Sequence, residues 1–392
     1  KSIRFAYRET VEMGVVFERR VSRRAEQGTF PPLKPERGMF FLTQMHPMVM
    51  RDVKNYRLFE LLPGVTYSQR SSRLSGRLTS EGDEQDFSVT TKYGLTSELI
   101  LDGTYNPDFS QVEADAGQVD RNLRFALFYP EKRPFFLEGD ENFNFAGGNG
   151  NDPLLEVAHT RTIVDPIAGV KLSGKIGKKN FFAMIDALDE LPSGSEGKHA
   201  HASLLRYKRA LRDDSFIGAF YTGREEKHGF NRVAGPDGQM RINESSILGY
   251  HLFLSQHKAG ASLPEQDGHA LGLDYLYNTR NLDLNLGVQD LSDDFTTVSG
   301  FLTRTGISRA RATVTPKFYP KSGFIRRIDV SLASAQVKDK PSDLFETDNI
   351  FTLRFIPRRN ANIALNANYS TEVFAGKRFQ TSGWTLGASS QL

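Results

Sequence analysis

The stretch NPDFSQVEADAGQVDRNLRFALFYPEKRPFFLEGDENF, residues 106–143, gathers side chains that could do chemistry. Asp108, Glu113, Asp115 and Asp120 are followed by Glu131, Glu138, Asp140 and Glu141, with Arg121, Arg124, Lys132 and Arg133 among them. Paired carboxylates can act as acid and base on a glycosidic bond, and acidic oxygens can hold calcium. Neither spacing is diagnostic, because the acids miss the positions that a calcium loop requires. The preferred reading is structural: a charged segment folded into a barrel lumen, its acids and bases paired with the wall so that neither is buried alone. Asp108, Glu113, Asp115, Asp120, Arg121, Arg124, Glu131, Lys132, Arg133 and Glu138 are then residues of a lumenal plug or constriction. No catalytic, cofactor or metal residue is assigned.

Other motifs are weaker. GVKLSGKI (169–176) has the glycines and lysine of a phosphate loop, but Ile176 replaces the hydroxyl residue and the run sits inside a strand pattern. His199 and His201 would share one side of a strand, and no third ligand lies near in sequence. Serine-hydrolase elbows and H-E-x-x-H helices are missing. With no cysteine there is no thiolate nucleophile, thiolate zinc site or disulfide.

The elements that must position these residues alternate with a period of two. Leu271, Leu273, Tyr275 and Tyr277 alternate with Gly272, Asp274, Leu276 and Asn278. After Thr279-Arg280-Asn281, Leu282, Leu284, Leu286 and Val288 alternate with Asp283, Asn285, Gly287 and Gln289, which predicts an antiparallel hairpin with one apolar and one polar face. Roughly sixteen such segments follow Tyr56, most of them about the length of a tilted membrane-crossing strand. Tight connections such as 95–97 and 357–361 contrast with long polar stretches expected at 224–244 and 338–348. A soluble sandwich alternates too, but closure of so many hairpins removes exposed edges. The predicted fold is all-β, an antiparallel transmembrane β-barrel of roughly sixteen or more strands with an inserted lumenal segment.

The bulk figures agree with that class. Of 392 residues 39% are hydrophobic and 25% charged, and mean hydropathy is −0.43. Those values look soluble, yet a membrane barrel shows apolar side chains only on alternate residues. The net charge of +3 argues against a nucleic-acid partner. No apolar run is long enough for a membrane helix. The chain opens and stops in mid-alternation, which reads as a piece of a longer precursor. Residues 1–55 are expected to end a preceding β domain, or to lead into the barrel through the Pro-rich EQGTFPPLKPERG; 56–392 are expected to form the barrel, with 107–145 inside it.

NPDFSQVEAD (106–115) followed by YPEKRPFFLEG (129–139) resembles the signature of bacterial outer-membrane carbohydrate-binding family 9-like domain-containing proteins, whose barrel half is a domain of unknown function. RLFELLPGV (57–65), KYGLTSELILDGTYNPDF (92–109) and GVKLSGKIG (169–177) support the likeness, and GFIRRIDV (323–330) fits more loosely. The resemblance implies a carbohydrate-binding-like β-sandwich ahead of the barrel, with only its last strands, around MGVVFERRVSRR, remaining here. It brings no catalytic residues.

The functional expectation is an integral outer-membrane β-barrel, a partly plugged channel or a transport or assembly component, and not an enzyme. Its partners would be outer-membrane lipid, a saccharide or other small solute, and a protein of a membrane complex. The rivals are a carbohydrate-active enzyme or a surface scaffold using the acidic segment 108–141.

Overall fold

The computed structural model describes residues 10–21, 26–34, 41–53, 58–74, 77–107, 125–148, 152–195, 197–212, 214–357, 361–374 and 376–390. Sixteen strands form one antiparallel sheet in strict chain order. They are β1 Phe59–Leu74, β2 Arg77–Gly94, β3 Leu99–Tyr105, β4 Pro166–Ile176, β5 Asn180–Glu190 and β6 His199–Ala210. β7 Phe216–Glu225, β8 Phe230–Asn243, β9 Ser246–Lys258, β10 Gln266–Asn278 and β11 Leu282–Leu291 continue the meander. It ends with β12 Ile307–Phe318, β13 Ile325–Asp339, β14 Leu344–Pro357, β15 Ala361–Phe374 and β16 Lys377–Ser390. The molecule is an all-β barrel, as the period-two pattern predicts.

Register sorts the side chains into two faces. Leu273 lies opposite Val288 and Tyr275 opposite Leu286, and Leu286 and Val288 are 39% and 44% exposed. Gln289, on the alternate face, is 5% exposed. The outward face repeats this with Leu252, Leu254, Leu271, Val314 and Leu332, while Arg206, Asp237, His251 and Asn231 are buried. A protein folded in water buries its apolar residues and exposes its charges; this wall does the reverse, as a lipid-facing barrel must.

The inward face is packed against chain that leaves the wall. Phe135, Phe136 and Phe143 join Ala183, Ile185, Leu204, Phe220, Val233, Phe253 and Ile307 in one buried cluster. Glu138 pairs with Lys92 on β2 and Asp152 with Arg309 on β12. On a flat sheet those strands would lie roughly 48 Å apart, about the full reach of the intervening residues if extended. That stretch contains the tight turn Asp140–Phe143, so the sheet must curl around it.

Both long excursions, 106–165 and 292–306, leave from the same rim; the opposite rim carries short turns such as 95–98 and 279–281. β1 starts and β16 ends at that short-turn rim. Ahead of the wall, Thr10–Val15 pairs with His46–Arg51 and Phe17–Val21 with Glu26–Phe30, and Lys34 reaches Glu244 of the β8–β9 turn at 2.9 Å.

Two expected loops are strands. Residues 230–243 form β8, and only 226–229 turn; β13 runs to Asp339 and β14 begins at Leu344. Their polar residues belong to the inward face or the rim, as with buried Asp237 and with Arg232, which pairs with Glu225 at 2.5 Å. The wall also resumes later than expected: Leu154–Glu156 pairs with Phe301–Leu302 inside the molecule, and β4 starts at Pro166.

Candidate functional site

The site is the inserted chain and the wall it touches. β3 stops at Asn106, whose φ is 41°, and Pro107 follows, which cannot donate to a ladder. Further on, Pro134 opens the short helix Pro134–Leu137, where a missing N–H costs nothing. Gly139 at φ 84° then turns the chain into Asp140–Phe143, a conformation open to glycine with little strain. These two turns bury Phe135, Phe136 and Phe143 on one side.

Glu131 and Arg133 form an internal clasp. Arg133 donates from N and Nε to Glu131 Oε1 at 2.9 and 3.0 Å, and from Nη2 to Oε2 at 2.8 Å. The same guanidinium donates to Ile163 O at 2.6 Å and Thr160 O at 2.7 Å, and lies 4.3 Å over the Phe136 ring. Thr160 Oγ1 donates to Glu131 Oε2 at 2.6 Å. Burial alone would raise the Glu131 carboxyl; the hydrogen bonds from Arg133 and Thr160 outweigh it and hold the group below its ordinary range. Lys132 contributes a backbone N–H to Glu131 Oε1 at 3.0 Å.

Three docks tie the segment to the wall. At the first, Lys171 of β4 donates to Phe135 O at 2.5 Å and Glu138 O at 3.1 Å and lies 3.4 Å from Asp102 of β3. Lys92 of β2 spans Asp102 and Glu138. At the second, Arg206 of β6 and Asp237 of β8, both fully buried, pair through two hydrogen bonds of 2.5 and 2.6 Å. Ala146 N donates to Asp237 Oδ2 at 3.0 Å, and Arg206 Nη2 donates to Asn144 O at 3.3 Å. Gly147 lies so close to the Tyr250 backbone that a Cβ would sit 2.6 Å from it. At the third, Asp152 meets Arg309 at 3.1 Å, and Arg311 pairs with Asp274 of β10.

A cavity of about 180 Å³ lies within the insert, lined by Asp140, Glu156, Phe143 and Phe145 among others. Burial, reinforced by the charges of Glu156, Glu131 and Glu141, pushes the Asp140 carboxyl up to about 6. Glu156 Oε2 is 2.6 Å from His159 Nδ1.

Of the residues expected to form the plug, Asp108, Glu113, Asp115, Asp120, Arg121 and Arg124 lie outside the described residues. Glu131, Lys132 and Arg133 meet one another inside the insert, and Glu138 reaches Lys92 on the wall. One pairing differs from the expected pairing with the wall: Arg133 meets Glu131 within the insert, and the bases at Asp102 are Lys171 and Lys92. His201 Nε2 is 2.8 Å from Asp186 of β5. Among the described residues no three acids or histidines converge as metal ligands.

Sequence reasoning missed Arg206, Asp237, Asp152, Arg309 and Arg311. Arg309 and Arg311 lie in the polar phase of an alternating strand, whereas Arg206 shares its inward phase with Ala200, Ala202 and Leu204, and Asp237 falls in a stretch with polar residues in both phases. It also missed that 292–306 turns inward, with Phe295 buried and Asn231 of β8 bonded to Thr296 O and Val298 N.

Comparison with known proteins adds the following. A family profile described as "Domain of unknown function (DUF5916)" matches residues 63–148, from β1 through the first part of the insert. No curated protein matches the chain. A crystal structure of Pseudomonas aeruginosa OprD is similar at 9% identity and TM-score 0.36, covering 85% of this chain and 86% of that one. Acinetobacter baumannii OccAB1 is similar at 13% identity and TM-score 0.35, covering 84% and 94%. The expected carbohydrate-binding sandwich finds no support in these matches.

Proposed function

We propose that the chain is an integral outer-membrane β-barrel acting as a solute channel, its lumen narrowed by the segment that leaves β3 and returns at β4. The observation that carries this reading is the inversion of the wall, with leucine, valine and aromatic side chains outward and paired charges inward. Sixteen strands leave an interior wide enough for an inserted segment. The short-turn rim, where β1 starts and β16 ends, faces the periplasm, and the long-loop rim faces outward, as in outer-membrane barrels generally. Lipid is then the partner of the outer face and a small solute that of the lumen.

A non-enzymatic role is supported by the acids themselves. Glu131 is committed to Arg133 and Thr160, and Glu138 to Lys92, so neither is free to move a proton on a substrate. Reproducible glycosidase activity lost on Glu131→Gln would reverse this reading.

Planar-bilayer recording tests the channel. Replacing 125–148 with a short Gly-Ser linker should raise single-channel conductance while heat-modifiable mobility on gels shows a folded barrel. Unchanged conductance in a folded barrel would mean that the segment does not narrow the path.

A further inference from the structure

The two rims of the wall differ in sign. From β4 to β13 the short-turn rim exposes Lys178 and Lys179 between β4 and β5, Arg209 at the end of β6, Arg280 between β10 and β11, Lys321 between β12 and β13, and Arg326 at the start of β13. Among the described residues of that arc the exposed acid is Glu244, which Lys34 meets. Asp214 and Asp283 turn to Arg241 and Lys317. Over the same arc the long-loop rim has more exposed acids than bases, with Glu190, Glu226, Asp267, Asp293 and Asp343 among them.

The cations of the short-turn rim are set among exposed apolar side chains. Ile217 lies opposite Arg209, and Ile176, Ile242, Phe318 and Phe324 are exposed at the same rim. They carry the apolar outer face to its end. Arg280 is held in place there: its guanidinium lies 5.0 Å over the Tyr319 ring, and the Tyr319 hydroxyl donates to Arg280 O at 2.9 Å. The two turns are neighbours, since Lys317 N donates to Asn281 O at 2.8 Å. Tyrosine is enriched where a membrane meets water, and a guanidinium stacked by its face can still offer its N–H fork to a phosphate.

Building on the membrane-barrel reading, we propose that the short-turn rim binds anionic phospholipid, with Arg280, Lys321 and Arg326 on the headgroup phosphate and Phe318 and Phe324 against the acyl chains. A partner for this surface has to offer negative charge and apolar chain side by side, at the edge of a wall already facing lipid. A phospholipid offers both, whereas an acidic protein surface answers only the charge. Arginine and lysine suit the place, because their apolar stems lie along the wall while the charged heads reach toward the headgroups. Each basic residue near an anionic membrane surface strengthens association by about fivefold.

Native mass spectrometry of the refolded barrel, released from detergent containing equal amounts of phosphatidylglycerol and phosphatidylcholine, tests this. Phosphatidylglycerol should be the lipid retained. Arg280→Gln should lower its excess over phosphatidylcholine by roughly fivefold, and adding Lys321→Gln and Arg326→Gln should remove it. Arg232→Gln, at the opposite rim, should leave the excess unchanged. Equal retention of the two lipids by a wild-type barrel that inserts into phosphatidylcholine vesicles would overturn the inference and leave the membrane barrel standing. A preference that survives the triple variant would also overturn it. Displacement of the lipid by soluble polyglutamate would do the same and assign the rim to an acidic protein partner. Failure to insert into vesicles of either lipid would remove the membrane reading and this inference with it. Should the variants fail to fold, the lipid preference of the wild type decides alone.

Discussion

Arg206 and Asp237 show what a buried charge pair asks of its neighbours. Neither is exposed at all, so removing one partner strands the other in a medium that cannot solvate it. Arg206→Ala should destabilise the refolded barrel by about 3–5 kcal/mol, measured by urea titration in vesicles. Arg206→Met combined with Asp237→Leu should cost less than Arg206→Ala alone. On the outer face, Leu286→Arg should cost about 2–4 kcal/mol if it lies near the bilayer midplane; a neutral effect would place that face away from lipid. Asp140 sets a pH dependence. With its carboxyl at about 6, it is largely ionised at pH 7 and largely protonated at pH 5, so acidification removes one negative charge from the insert. Because the folded value lies above the ordinary one, protonation through that window relieves a penalty of folding. Glu131, held below its range, works oppositely, and its contribution is lost only as pH falls beneath the ordinary carboxylate range. Cation selectivity, read from reversal potentials, should therefore fall between pH 7 and 5 in the wild type and fall less in Asp140→Asn. Glu131, Arg133 and Glu138 were legible as charges needing partners. Arg133 folding back on Glu131 was not, because that clasp depends on the turn opened by Pro134 and on Thr160, many residues away.

The strands were the most legible elements, since two faces in two different solvents impose a strict alternation. Boundaries were hardest where inward polar residues and rim charges fall together. Around Arg232 and Asp237 both phases of β8 contain polar residues, and the stretch reads as loop. The inward course of 292–306 has a fainter signature still: Phe295 is one aromatic in LSDDFTTVSG, and what fixes it is Asn231 on another strand. That loop makes its own prediction. Phe295→Ala should cost about 3–5 kcal/mol, and increased protease cleavage within 292–306 should accompany it. Wild-type stability would instead place the loop outside the lumen.

For the whole molecule, the telling feature is that β1 and β16 are the end strands of the sheet, each hydrogen-bonded on one side. Val65 is 80% exposed and Trp384 75%. Unpaired backbone polar groups cannot face hydrocarbon, so in a membrane these antiparallel strands must pair with each other or with another strand. The chain has no cysteine, which makes the test clean. Single cysteines at Leu61, Pro63 or Val65 combined with Trp384→Cys or Leu386→Cys should yield a disulfide for at least one pair. Absence of any cross-link in folded protein would point to a further strand between them. The same feature bears on the order of assembly. The two ends are the most distant strands in sequence, and loop entropy makes such contacts the last to form. By then the insert, whose docks run from β2 to β12, must already be seated, because a zipped wall would admit it only through a rim. In chain order the insert follows three strands of the described sheet, and the other thirteen come after it.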